Sequence, residues 1–184
     1  MNKKLIPLLL VLVALFQGCR GPEGPPGPQG QQGTSTNVTG TTFDFVDVDF
    51  TTANDFQVSL SFDDADIEVL ESDAVLVYIN WGDVKVGTEN LPAYRLLTQT
   101  AFLTNGILTY NFDRTRDDLS VFLDGTVNRA TVASSYTTDQ SFRVVVIPAD
   151  FAARTSGQVD YSDYNAVVKQ FNIDESKIVK IKAK

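Results

Sequence analysis

Phe56-Gln57-Val58-Ser59-Leu60-Ser61-Phe62 alternates apolar and polar residues with period two. That is the pattern of a strand with one face buried and the other in water. A helix could not place Phe56, Val58, Leu60 and Phe62 on one side. The same period continues on both flanks. Upstream, Val46, Val48 and Phe50 share a face opposite Asp47 and Asp49. Downstream, Ala74 to Trp81 (AVLVYINW) is apolar almost throughout, which predicts a central strand covered on both sides. Ala101-Phe102-Leu103 leads to Asn105-Gly106 and out through Ile107 to Phe112, the signature of a hairpin with a type I′ turn. Leu119–Leu123, Thr131–Tyr136 and Phe142–Ile147 are further expected strands.

Short strands separated by turn residues predict a mainly β domain over residues 43–184. Its expected form is an antiparallel, immunoglobulin-like β-sandwich. One short C-terminal helix interrupts the pattern, with Tyr161, Tyr164, Val167, Val168 and Phe171 at helical spacing. Asp160 or Ser162 is the expected N-cap, and Asn172 the left-handed stop with Ile173 packing back. The tail KIVKIKAK reads as a last strand whose lysines, Lys180, Lys182 and Lys184, discourage edge-to-edge aggregation. No repeat of 20–50 residues is visible, so a solenoid or propeller is not indicated.

The N-terminus has a different composition. Lys3 and Lys4 precede an apolar run of 12 residues, Leu5 to Phe16. A membrane-spanning helix needs about 20. A basic start, a short apolar run and a small residue at its end make a secretory signal, residues 1–18. Phe16-Gln17-Gly18-Cys19 resembles a bacterial lipobox, with Phe16 and Gln17 in place of the usual Leu and Ala or Ser. The resemblance implies that Cys19 is the lipid attachment site and the mature N-terminus. Cys19 is the one cysteine of the chain, so a lipidated protein has no disulfide and is held by its core.

Residues 19–42 form the expected stalk and linker. Gly21, Gly24, Gly27, Gly30 and Gly33 stand in strict period three, interleaved with Pro22, Pro25, Pro26 and Pro28. Glycine at every third place is what a collagen triple helix requires at its axis. With so few triplets, a polyproline-II spacer is favoured over a weak homotrimer. At about 3.1 Å per residue it would hold the domain about 40 Å from the lipid.

Composition narrows the chemistry. The chain has no histidine, which removes Ser-His-Asp and Cys-His catalysis and imidazole metal ligands. No cofactor is indicated. The chain carries 15 basic and 23 acidic residues; loss of Lys3 and Lys4 with the signal leaves 13 against 23, a net charge of −10. Such a surface repels phosphate backbones, so nucleic acid is not an expected partner. The acidic run Asp63-Asp64-Ala65-Asp66-Ile67-Glu68 fits no EF-hand register and reads as a solvated loop, with loop-bound calcium as the alternative. Residues 113–118 mix charges and read as a salt-laced turn.

Taken together, the lipobox-like segment, the Gly-X-Y triplets, the acidic β domain and the closing VDYSDYNAVVKQFNI resemble the small collagen-repeat lipoproteins of Bacteroidota bacteria. The resemblance implies a location in the cell envelope, at the outer membrane, and no catalytic activity. The expected function is a non-enzymatic, lipid-anchored protein whose sandwich makes structural or adhesive contact with an envelope protein or glycan. The alternative is a carbohydrate-binding module, in which Trp81 with Tyr78, Tyr94 and Tyr136 lines a sugar platform. A carboxylate hydrolase would need two acids facing one cleft.

Overall fold

In the computed structural model, which describes residues 41–149 and 159–184, the alternating stretch is strand β2 (Gln57–Ser61), with Val58 and Leu60 buried. The signal segment, Cys19 and the Gly-X-Y run lie outside the described residues. The other strands are β1 (Thr41–Val48), β3 (Ala74–Val86), β4 (Glu89–Leu96), β5 (Gln99–Leu103), β6 (Gly106–Arg114), β7 (Asp118–Gly125), β8 (Gln140–Ile147) and β9 (Val179–Lys182). They form two sheets, ordered β4-β3-β8-β1-β9 and β2-β7-β6-β5. All described pairings are antiparallel except β1 with β9.

The protein is a β-sandwich. One apolar interior joins Phe43, Phe45, Val77, Ile79, Phe142 and Val144 of the first sheet to Val58, Leu60, Leu108, Leu119, Val121 and Leu123 of the second. The immunoglobulin likeness extends to the two packed sheets and not to strand order. Here β1 pairs with β8 in one sheet and β2 with β7 in the other, so the chain's outer segments nest around its middle.

Strand β3 is covered on both sides, as its apolar run predicts. Val77 and Ile79 face the second sheet, while Tyr78 faces helix α1 (Tyr164–Gln170) on the outer surface. Seven residues are too few for an independent helix. Packing supplies the stability: Tyr164, Val167 and Phe171 bury against Tyr78, Val145 and Ile147. Its start is capped by Asp163, whose side chain accepts from Asn165 N at 3.0 Å and Ala166 N at 3.3 Å. Asp160 instead folds the preceding turn, accepting from Ser162 N at 2.9 Å and Ser162 Oγ at 2.6 Å. The helix therefore begins one turn later than a cap at Asp160 would place it. Asn172 takes the left-handed stop at φ 50, and Ile173 N donates back to Val168 O at 3.0 Å. Replacing Asp163 with alanine should cost about 1 kcal/mol in urea denaturation, the usual cost of an N-cap.

Three further expectations are corrected. In β1, a bulge between Phe45 and Val48, with Asp47 at φ 57, shifts the phase of the strand. Phe43 and Phe45 thus join Val48 and Phe50 inside, and Val46 is only half-buried. In the β5–β6 hairpin the turn residues are Thr104 and Asn105, one position earlier than a type I′ turn at Asn105-Gly106. The positive φ falls on Gly106, where a side chain would crowd Thr126 Oγ1 at 2.7 Å. Residues 131–136 are not a strand. Asn128 caps a 3-10 turn at Arg129–Thr131 and a second follows at Ser134–Tyr136, so local hydrogen bonds replace a ladder.

Three buried tyrosines and the half-buried Tyr94 give the fold an alkaline limit. Burial is the main cause that raises Tyr78, Tyr94, Tyr110 and Tyr164 above the ordinary 10.0. Above pH 10 the unfolded chain loses phenol protons that the folded chain keeps. Stability is therefore intact below that pH and falls as pH rises through the folded values. The tyrosinate absorbance of these residues should rise together with the loss of near-ultraviolet circular dichroism, in one cooperative step.

Candidate functional site

Period two puts Trp81 on the same side of β3 as Val77 and Ile79, but the strand changes character there. Asn80 pairs with Tyr94 and Asp83 with Pro92, so Trp81 and Gly82 oppose a single residue of β4. This is a β-bulge, a device that re-aims a side chain at a sheet edge. Gly82 supports it with φ 107, and Asn80 Oδ1 accepts from Gly82 N at 3.0 Å. Proline 92 is tolerated because β4 is an edge strand.

The bulge brings Trp81 to the wall of a cleft of about 680 Å³. That volume is in the range of small-molecule sites. Tyr110, Tyr136 and Phe102 add aromatic surface to its lining. Trp81 and Tyr110 meet edge to face, with ring centres 5.9 Å apart. On Trp81 the Arg95 guanidinium lies 4.8 Å from the ring centre, a cation–π contact that orients the indole. Tyr110 is buried, and its hydroxyl donates to Tyr136 O at 2.8 Å. Because burial pushes its phenol well above 10.0, it stays a neutral donor that ties the 3-10 turn to β6. Phe102 stands apart at 82% exposure, on the β5 edge at the rim.

Beside the rings, Ile79, Gly82 and Ala101, the described lining is polar and carries one acidic side chain. Thr100, Ser135, Gln140 and Ser141 contribute hydroxyls and an amide, and Asp139 the single carboxylate. Gln140 Nε2 is committed to Ser135 O at 3.2 Å and Thr138 O at 2.8 Å, which leaves its Oε1 as an acceptor. Asn80 uses Oδ1 on Gly82, and its pairing with Tyr94 puts its side chain on that ring's side of the sheet, so the uncommitted hydroxyl of Ser135 supplies the donor. The cleft thus offers both donors and acceptors beside aromatic surface.

The expected tyrosine platform is split by the fold. Trp81 and Tyr136 line the cleft, whereas Tyr78 and Tyr94 lie on the opposite face of the first sheet. There they pack on Tyr164, with ring centres 5.3 and 5.0 Å away. Tyr78 also donates to Tyr161 O at 2.7 Å, so both rings hold α1 rather than meeting a ligand. Tyr110 and Phe102 were not singled out from sequence, although the alternation of β6 and the hairpin position of β5 carry them. Cys19, the expected lipid site, is outside the described residues.

Other candidate groups are structural. Among the described residues, no three His, Cys, Asp or Glu side chains are placed to hold a metal ion. Asp64 of the acidic loop pairs with Lys184 at 2.8 Å. Asp73 is buried and accepts from Leu70 N at 3.0 Å and Ala149 N at 3.4 Å. In the turn at 115–118, Arg116 pairs with Asp117 at 3.0 Å and Thr115 Oγ1 donates to Asp118. Among the described residues, no helix is long and apolar enough to cross a membrane. The chain matches no family model, no curated protein and no solved structure.

Proposed function

We propose that this chain is a non-enzymatic, lipid-anchored protein of the bacterial cell envelope, held at the outer membrane by Cys19. Its β-sandwich contacts an envelope partner through the Trp81 cleft. The observation that carries the reading is the composition of that cleft: four aromatic rings, neutral hydrogen-bonding groups and one carboxylate. Glycoside hydrolysis uses a pair of carboxylates, so this lining favours recognition over that chemistry. Anchoring rests on the basic start, the short apolar run and the Gly18-Cys19 junction. Two or three acyl chains on one cysteine hold firmly where one alone is marginal.

Full-length protein expressed in a Gram-negative host should fractionate with membranes and carry an acyl-modified Cys19 by mass spectrometry, and Cys19→Ser should release it. An unmodified N-terminus downstream of residue 19 overturns the anchor. Pull-down from intact cells with the tethered protein tests the contact. Capture that survives Phe102→Ala combined with Gln140→Ala would exclude the cleft as the contact surface.

A further inference from the structure

We propose that the Trp81 cleft is a binding site for a neutral glycan, in which sugar rings lie against Trp81 and Phe102 while Ser135 and Gln140 bind hydroxyls. This rests on the reading of the sandwich as a binding domain and names the class of its ligand. The apolar faces of sugar rings stack on flat aromatic side chains, and their hydroxyls both donate and accept hydrogen bonds. The cleft matches the two halves of that chemistry. Its rings come from three separate strands and a turn, and its polar groups include a free acceptor, Gln140 Oε1, and the Ser135 hydroxyl, which both donates and accepts.

Charge selects the neutral class. Among the described residues the lining contains no lysine or arginine, and its one carboxylate belongs to Asp139. Arg95 is engaged over the Trp81 ring and does not line the cleft. An anionic sugar would be brought beside that carboxylate, and the Arg95 guanidinium at the Trp81 ring is already occupied by its cation–π contact. A lipid tail would cover the half-buried amide and hydroxyls of the lining without pairing them, which costs free energy at each one. A peptide added to the β5 edge is the other chemistry in reach, because among the described residues β5 pairs only with β6. It would use backbone groups of the edge and has no need of the polar side chains inside.

Trp81 is the one tryptophan of the chain, so its emission reports this cleft alone. The full-length lipidated protein, in a detergent without a sugar head group, is titrated with neutral gluco-, manno-, xylo- and galacto-oligosaccharides and with oligogalacturonate. A saturable change in Trp81 emission with at least one neutral oligosaccharide, and none with oligogalacturonate, is the expected result. Phe102→Ala removes an exposed ring without disturbing the core, and Gln140→Ala removes an acceptor; each should weaken that binding about tenfold. Trp81→Phe, followed by calorimetry, should retain the fold and weaken the binding, because the smaller ring offers less stacking surface.

Equal binding of oligogalacturonate, or affinity unchanged by both Phe102→Ala and Gln140→Ala, overturns the proposal. So does the absence of any saturable response across the neutral series. In that last case the pull-down separates the two readings. If the cleft variants still lose capture of envelope material, the ligand class is wrong and the binding role stands. If they keep it, the binding role falls as well.

Discussion

Gly125→Ala should destabilise the domain by about 3 kcal/mol or more and lower the urea midpoint by about 1–2 M. Gly125 ends β7 opposite Leu108 of β6 and adopts φ 135. A Cβ there would overlap the Ile107 carbonyl oxygen and lie 2.9 Å from the Ile107 carbonyl carbon and 3.2 Å from Leu108 Cα. All of these are backbone atoms, so no side-chain rotation relieves the overlap. The same Ile107 oxygen accepts from Thr126 N at 2.9 Å and Val127 N at 3.3 Å, so moving it breaks the turn beyond β7. Gly87 is the control. It has φ 63 at the β3–β4 turn and nothing within 4 Å of a built Cβ. Gly87→Ala bears only the left-handed backbone cost, about 1 kcal/mol. Equal losses at the two positions would show that the close approach at Gly125 does not matter.

Arg143→Met should cost about 3–5 kcal/mol, because it strands a buried carboxylate. Asp44 and Arg143 face each other across β1 and β8, and Asp44 is only 7% exposed. The contact is bidentate, Nε to Oδ1 at 2.7 Å and Nη2 to Oδ2 at 3.0 Å. The third nitrogen, Nη1, donates to Tyr164 Oη and Glu175 Oε1, both at 2.9 Å. The guanidinium also stacks on Tyr94 at 4.3 Å. One side chain thus ties β1, β4, α1 and the turn at 175 to β8. Its loss should loosen α1 first, visible as faster amide exchange at Val167 and Phe171.

The double variant Asp44→Leu with Arg143→Met distinguishes the desolvation cost from the net value of the pair. Removing both charges together should return stability to within about 1–2 kcal/mol of the wild type. Tyr164 keeps a partner, because its hydroxyl also reaches Glu175 Oε1 at 3.1 Å. A double variant as unstable as Arg143→Met alone would mean that the pair itself, and not the stranded charge, holds this face.

Side-chain period was enough to identify the two-layer β architecture, because alternation follows directly from strand geometry. Phe56–Phe62, the two-sided burial of β3 and the Asn172 stop of α1 all follow from nearest neighbours along the chain. Trp81 could be placed on the interior side of β3 in the same way. Phase was lost wherever a single residue was inserted. The bulge at Asp47 inverts which of Val46 and Phe45 is inside, and nothing local announces it, since Asp is also at home on a strand's wet face. Residues 131–136 have strand-like composition, but the Asn128 cap and the Tyr110 hydroxyl hold them as turns. The cleft lay further out of reach. Trp81, Phe102, Tyr110, Tyr136 and Gln140 come from four strands and a turn, and they meet only because β3 bulges and β5 crosses to the second sheet. Periodicity settles which side of a strand a residue occupies. Which strands become neighbours is set by long-range packing, so the binding surface belongs to the tertiary structure.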